Sequence, residues 1–399
     1  MDGPYRVVET PEGPRVAPDP ADFPFLTFAC TVGRDFDATV LFGRAEGSVD
    51  GDAGTAELLL PPEVSIVMLP PYESLRRLGQ VLGAAAGTVR QFWRGLSQVD
   101  AVWVFGPHPF SFALVALGVV RRKGVILGVR QDTRAYYRER LPNARWRPLL
   151  LAAFGLDLGY RALSRFVQTT TVGDELASHY GGRRANLLPI SVSLVGDADV
   201  VDQPLERDWD GTIDLLTVGR IEQEKNPLLL VEVLAKLEAE RPGRYRLTWA
   251  GTGPLADAVL DRARELGVED RLELLGFVPF GPGLLERYRT AHMFVHASLT
   301  EGLPAVLIEA LASGTPVVAT DVGGVSAVLE QGAAGLLVPP EDVDSYVQAV
   351  LRLSDDAALR EQLVAHGLSI ARSMTVGSQA RRIAAFIKGG PGSAVGPAG

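Results

Sequence analysis

Two doubly wound α/β domains, facing each other across a cleft, are the fold class this sequence predicts, and three observations predict it. Strand-like and helix-like runs alternate in two successive cycles. An acidic stretch broken by Pro204, "DADVVDQPLERDWDG" (197–211), separates the cycles. The chain's 399 residues also exceed what one hydrophobic core usually serves.

The first cycle opens with β-like runs "FLTFAC" (25–30), "DATVLFG" (37–43) and "VSIVML" (64–69). Only "TVGRDF" separates the first two, too little for a glycine-rich loop and a helix, so a hairpin or edge-strand start is expected. A helix over roughly 73–96 follows, then the buried-strand pattern "DAVWVFG", helical "FSFALVALGVVRRK" and the strand "GVILGVR" (124–130). The second cycle is cleaner. Strand "TIDLLTVG" (212–219), helix "NPLLLVEVLAKLEAE" and strand "RLTWAG" (246–251) lead on to "RLELLGFV", "HMFVHAS", helical "PAVLIEALASG" and "TPVVAT". The expected organisation is an N-terminal domain at 1–198 with an atypical β-rich start, a linker at 199–211 and a C-terminal domain at 212–375. A helix at 376–388 is expected to pack back on the N-terminal domain. The tail at 389–399, "GGPGSAVGPAG", has no apolar pattern and is expected to be disordered.

Composition narrows the function classes. With 47% hydrophobic and 22% charged residues the chain reads as an ordinary globular protein. A net charge of −9 argues against a general nucleic-acid binder, which needs a basic face. The longest apolar runs, "FALVALGVV" and "LLLAAFGL", are too short to span a bilayer, and "MDGPYRVVET" has no secretory pattern. The single cysteine, Cys30, allows no internal disulfide, so a cytoplasmic location is expected. "RWRPLLLAAFGL" (145–156) mixes cations with an apolar run, as an interfacial helix does, but a buried core helix is the favoured expectation, so peripheral membrane contact is not.

Two stretches carry chemistry. "VGRIEQEKNP" (218–227) follows a strand: Gly219 permits a tight turn, and Arg220 and Lys225 sit in the loop before a helix that Asn226 and Pro227 begin. Two cations in such a loop suit a diphosphate, Arg as a rigid fork and Lys as a point charge. The bland alternative is a solvated loop in which they pair with Glu222 and Glu224. "TEGLPAVLIEALASGTPVV" (300–318) places Pro304 at a helix start and Gly314 just past its end. Backbone N–H groups of Gly302 and Leu303 would then face an anion. Glu301 precedes the helix, where a carboxylate can also be a simple cap, and Glu309 lies inside an apolar helix, where it needs a partner. Carboxylates accept paired hydrogen bonds from vicinal hydroxyls.

In combination, "VGR…EKN", "GTGPL" and "EGLPAVLIEA…GTPVVATDVGG" resemble the retaining glycosyltransferases of family 4 (glycosyl transferases group 1), strongly over roughly 215–337 and weakly before that. The resemblance implies the GT-B fold of two Rossmann-like domains, the N-terminal one binding the acceptor and the C-terminal one the nucleotide sugar. By motif position Arg220 and Lys225 would hold the donor diphosphate, Glu301 the sugar and Glu309 the ribose. Phe277 and Val278 fall where the family packs the nucleobase. Gly253, in "GTGPL", lies near the donor, and Gly323 and Gly324 approach its phosphates. The co-substrate is a nucleotide-diphosphate sugar, with no cofactor and no metal expected. The acceptor would be a glycan, a lipid-linked sugar or a small molecule. Ala297 replaces the proline usual in this motif, and His296 beside it reads as a packed strand-end residue. The family's glycine-rich N-terminal donor loop is not identifiable, and Arg130-Gln131-Asp132 stand where many relatives have a histidine. His108, Arg130 and Asp132 are therefore the acceptor-side candidates, each with a structural alternative.

Rival classes are weaker. "AGTGPLA" mimics a dinucleotide fingerprint but lies in mid-domain. "DFD" and "DWD" mimic metal-binding acidic runs, yet Asp208 and Asp210 fall in the expected linker. A glycosidase using Glu301 and Glu309 leaves Arg220 and Lys225 unexplained. A nucleotide-sugar epimerase or hydrolase, or a non-catalytic binder of the same fold, remains the alternative.

Overall fold

The computed structural model describes residues 4–11, 13–18, 23–45, 58–71, 78–131, 147–181 and 184–389. Two compact units emerge, Met1–Val192 with Gln379–Gly399, and Ser193–Ser378. The boundary thus lies at 192–193 rather than 198, and the stretch 199–211 belongs inside the C-terminal unit. Arg207 fixes it there. Its Nε donates to the carbonyl of Ala291 at 2.7 Å, Nη1 to Gly314 at 3.0 Å and Nη2 to Arg289 at 3.1 Å. Burial pulls the Arg207 pKa down to about 10, and the carbonyls offset part of that desolvation.

Among the described residues the N-terminal unit contains two separate sheets. Strands β1 (Pro4–Thr10) and β2 (Gly13–Pro18) form an antiparallel hairpin. After α1 (Phe23–Gly33) come β3 (Thr39–Ala45), β4 (Leu58–Leu59) and β5 (Val64–Leu69), completing a mixed sheet of order β4-β2-β1-β3-β5. The run "FLTFAC", expected as a strand, lies within α1. Its Leu26, Ala29 and Cys30, spaced as on one helix face, enter the core with Val16, Leu41 and Val64. A short apolar run does not declare its period, and its aromatic content pointed the wrong way. Burial pushes the Cys30 thiol up to about 12, leaving it a small hydrophobe.

The second sheet is parallel, of order β6-β7-β8-β9: β6 (Ala101–Gly106), β7 (Gly124–Val129), β8 (Gln168–Val172) and β9 (Leu187–Ile190). Helix α2 (Leu78–Gly95) leads into it, and α3 (Phe110–Val120), α4 (Arg147–Leu163) and α5 (Asp174–His179) connect its strands. Among the described residues no helix is long and apolar enough to cross a membrane.

The C-terminal unit is one six-stranded parallel sheet. In chain order it runs β10 (Ile213–Val218), α6 (Pro227–Glu240), β11 (Tyr245–Ala250), α7 (Ala256–Glu265), β12 (Leu272–Gly276), α8 (Pro282–Thr290) and β13 (Met293–His296). There follow α9 (Ala305–Ala312), β14 (Val317–Thr320), α10 (Val325–Val328), β15 (Leu336–Val338), α11 (Val343–Asp355) and α12 (Ala357–Met374). The spatial order β12-β11-β10-β13-β14-β15 is the doubly wound 3-2-1-4-5-6 pattern, which reverses direction between β10 and β13. Two apolar clusters pack against the sheet, one around Trp249, Tyr245 and Tyr346, the other around Tyr288, Phe294 and Leu307.

The last helix, α13 (Val376–Gly389), begins in the C-terminal unit and from Gln379 belongs to the N-terminal one. There Ser191 N–H donates to Gln379 Oε1 at 3.2 Å and Gln168 Nε2 to the Phe386 carbonyl at 2.6 Å. The tail expected to be disordered lies, beyond Gly389, outside the described residues.

Candidate functional site

In an open α/β sheet the crevice outside the carboxyl ends of the strands, where strand order reverses, is the default ligand position. Here that is the edge where β10 and β13 end, and the two motif stretches both emerge there. Gly219 ends β10 with φ 149, a region that favours glycine. Its carbonyl accepts from the buried Trp249 Nε1 at 2.9 Å. The next loop, after β11, presses so close that a Cβ on Gly251 would lie 1.9 Å from the Gly219 carbonyl oxygen. One on Gly253 would lie 2.3 Å from that of Ile221. Gly253 thus has a packing reason to be glycine whatever it does for a ligand.

Lys225 and Glu301 come together. The Lys225 ammonium pairs with Glu301 Oε1, and both side chains are largely shielded from water. Ser298 Oγ donates to the same oxygen at 2.7 Å. His296 Nε2 lies 2.9 Å from it but off the line a hydrogen bond requires. Burial raises the Glu301 pKa, but His296 and Lys225 outweigh it and hold the carboxyl at about 2. The backbone of this loop is braced as well. Leu299 N–H donates to the Glu224 carbonyl at 2.8 Å, linking the Lys225 loop to the Glu301 loop. Gly323 and Gly324 lie flat against it, where a Cβ would sit 1.9 Å from the carbonyl oxygens of Glu301 and Gly302 respectively.

Arg220 stands apart from that contact. Its guanidinium is exposed and reaches Glu222 at 3.0 Å and Glu224 at 2.5 Å, the pairing the bland reading of this loop anticipates. Asn226 adopts φ 47 before α6 without a side-chain cap. Helix α9 starts one residue later than expected, with Pro304 as its cap, so the N–H groups of Gly302 and Leu303 belong to the preceding loop rather than to the first turn.

Glu309 is buried in α9, and Tyr288 Oη donates to its Oε2 at 2.9 Å. Burial raises the Glu309 pKa to about 7, the Tyr288 hydrogen bond opposing it. Tyr288 itself is pushed well above its ordinary value by burial and by the Glu309 charge. Phe277, just past β12, is 76% exposed, whereas Val278 packs on the cluster around Phe294. A shallow groove at the opposite, amino edge of the sheet is lined by Asp214, Arg246, Glu273 and Arg287. Asp214 and Arg246 already pair at 2.8 Å there, and that edge is not where such sheets bind ligands.

In the N-terminal unit, His108 and Arg130 sit just past the carboxyl ends of β6 and β7. His108 Nδ1 accepts from Phe110 N–H at 3.2 Å, and Tyr160 Oη contacts the His108 backbone at 2.9 Å. The Arg130 guanidinium lies 4.6 Å over the Phe25 ring. Asp132 falls outside the described residues. Sequence reasoning missed Ser298 and Tyr288 and gave His296 only a packing role; the Ser298–Glu301 spacing beside a strand end was the available signal for the first.

Fold and site together define a protein of GT-B architecture whose C-terminal half gathers acid, base and tight glycine turns at a topological switch point. Residues 206–368 match the family model of glycosyl transferases group 1, which bears out the resemblance read from the motifs. The D-inositol 3-phosphate glycosyltransferase of Kribbella flavida is 34% identical over 205 residues, 47% of each chain. That of Nocardia farcinica is 38% identical over 159 residues, covering 38% of this chain and 34% of its own. This chain thus spans less than half the length of these relatives. Solved structures are similar in fold: sucrose-phosphate synthase of Thermosynechococcus elongatus has a TM-score of 0.65 at 17% identity, over 93% of each chain. HepE of Anabaena, in complex with UDP and glucose, has 0.63 at 16% identity, over 92% of this chain and 96% of its own.

Proposed function

We propose that this protein is a retaining glycosyltransferase that moves a sugar, a hexose by the family pattern, from a nucleotide-diphosphate sugar to an acceptor hydroxyl. The observation that carries the reading is the shielded Lys225–Glu301 pair at the switch point, inside the matched residues. Anabaena HepE is seen with UDP and with UDP-glucose, which supports uridine nucleotide sugars as the first donors to test.

The chemistry follows from charge. In front-face transfer the acceptor hydroxyl attacks the anomeric carbon on the side the diphosphate leaves, and the leaving oxygen takes the proton. The dominant requirement is to stabilise that oxygen's growing negative charge. Lys225 turns from Glu301 toward the diphosphate, and Arg220 exchanges Glu222 and Glu224 for it, so side-chain cations serve in place of a metal. Glu301 accepts from a sugar hydroxyl. Glu309, with Oε2 held by Tyr288, offers its other oxygen to the ribose.

Incubating the protein with UDP-sugars, with and without a panel of glycan, lipid-linked and small-molecule acceptors, tests this directly. Acceptor-dependent UDP release is the expected outcome. Free sugar released at the same rate without acceptor would mark a hydrolase, and binding without turnover a non-catalytic binder.

A further inference from the structure

We propose that the outer face of α4 docks on an anionic membrane surface. This helix is apolar on its outward side as well as its inward one. Its exposed residues from 151 to 162 are Leu151, Ala152, Phe154, Gly155, Leu158 and Ala162, all uncharged. Its buried face is apolar too, with Tyr160 in the core and Leu156 and Leu163 packed on it, apart from Asp157, 2% exposed, which pairs with His179 Nε2 at 3.2 Å. An apolar helix face is ordinarily enclosed. This one leaves Leu151 70% and Leu158 56% exposed, and Phe166, just past the helix end, 83%.

The neighbouring helix continues the surface. Val119 and Val120, at the end of α3, are exposed. The turns after α3 and α4 feed β7 and β8, adjacent parallel strands, so Arg122 and Lys123 share one sheet edge with Arg165 and Phe166. Among the described residues, Arg122, Lys123, Arg161 and Arg165 have no acidic partner. These four cations favour an anionic partner, and the exposed apolar residues beside them favour one with an apolar interior. An anionic bilayer supplies both, with leucine and phenylalanine entering the acyl boundary and arginines reaching back to the headgroups. The stripe from Leu151 to Phe166 spans roughly 20 Å at helical rise, enough to lie in the interface without crossing it. None of this rests on the donor-site reading.

Co-sedimentation of the full chain with vesicles of equimolar phosphatidylglycerol and phosphatidylcholine tests it. The protein should pellet with these, stay in solution with phosphatidylcholine alone, and release progressively as NaCl is raised. Leu151→Glu combined with Leu158→Glu should lower the bound fraction about tenfold or more while circular dichroism and melting stay unchanged. Arg161→Glu with Arg165→Glu should act in the same direction at low salt. Should the leucine pair disturb folding, the arginine pair, on a separate row of side chains, decides between the outcomes. The proposal is overturned if the wild type stays in the supernatant, or if properly folded variants of both kinds pellet like it. A wild-type dimer that the leucine substitutions dissolve, without vesicle binding, would assign the face to a second copy instead.

Discussion

The two units of this molecule share an α/β plan but hold their polar groups in opposite ways. In the C-terminal unit, charge gathers at one sheet edge and is enclosed: Glu301 Oε1 meets Lys225, Ser298 and His296, and Glu309 meets Tyr288. In the N-terminal unit, the strands divide between two sheets, His108 and Arg130 rest on aromatic rings, and an apolar helix face turns outward. One half gathers its charge on short loops, which a local motif can encode. The other presents surfaces, and surfaces are set by packing over long sequence distances.

The largest expected effect is at Lys225. Lys225→Ala should reduce turnover about a hundred- to a thousandfold, the loss of roughly 3–4 kcal/mol of transition-state stabilisation. Steady-state kinetics with a thermal-melt control measures it, and near wild-type turnover would remove the C-terminal edge from its assigned role. Next comes Gly323→Ala, whose Cβ meets the Glu301 carbonyl. It should cost on the order of 2–3 kcal/mol of stability by denaturant titration; a neutral result would mean the brace yields freely.

Glu309 offers a test by pH. Its carboxyl is neutral below and ionised above about 7, so nucleotide affinity should rise as pH passes through that value. Stability should move the other way. A carboxyl whose folded-state pKa is raised stabilises the fold fully below its unfolded value near 4.5 and loses that contribution as pH climbs through about 7. Glu309→Gln should flatten both slopes, as calorimetric titration and melting across the range would reveal. Glu301 has the opposite sign, its contribution present above about 4.5 and lost as pH falls toward 2. Arg220→Ala, at an exposed and screened site, should cost about tenfold in kcat/KM. Smallest of all, His108→Ala and Arg130→Ala should raise the acceptor KM a few-fold and leave donor affinity alone. A change in donor affinity there would count against the proposed division of donor and acceptor binding between the units.

The same division decides what the sequence disclosed. "VGRIEQEKNP" and "TEGLPAVLIEALASGTPVV" are legible because a strand end, a glycine and a charge within ten residues fix a loop almost by themselves. The Tyr288–Glu309 contact is not, since two helices must pack before those side chains meet. "FLTFAC" misled because its residues satisfy both periods and only the sheet beneath it selects the helix. The linker misled differently: its acidity was read as solvation, while Arg207 in its midst anchors it to three carbonyls. The α4 stretch is the sharpest case. Its apolar run promised a core helix, yet half of that run faces solvent.

Trp249 gives the proposed donor edge an optical handle. Its indole is 1% exposed and donates to the carbonyl of Gly219, the residue on which the Lys225 loop turns. A ligand that draws that loop onto its phosphates changes the field at the indole nitrogen and shifts the colour and yield of its emission. With the other tryptophans replaced by phenylalanine, the protein would report occupancy of its own site by fluorescence, without label or coupled assay.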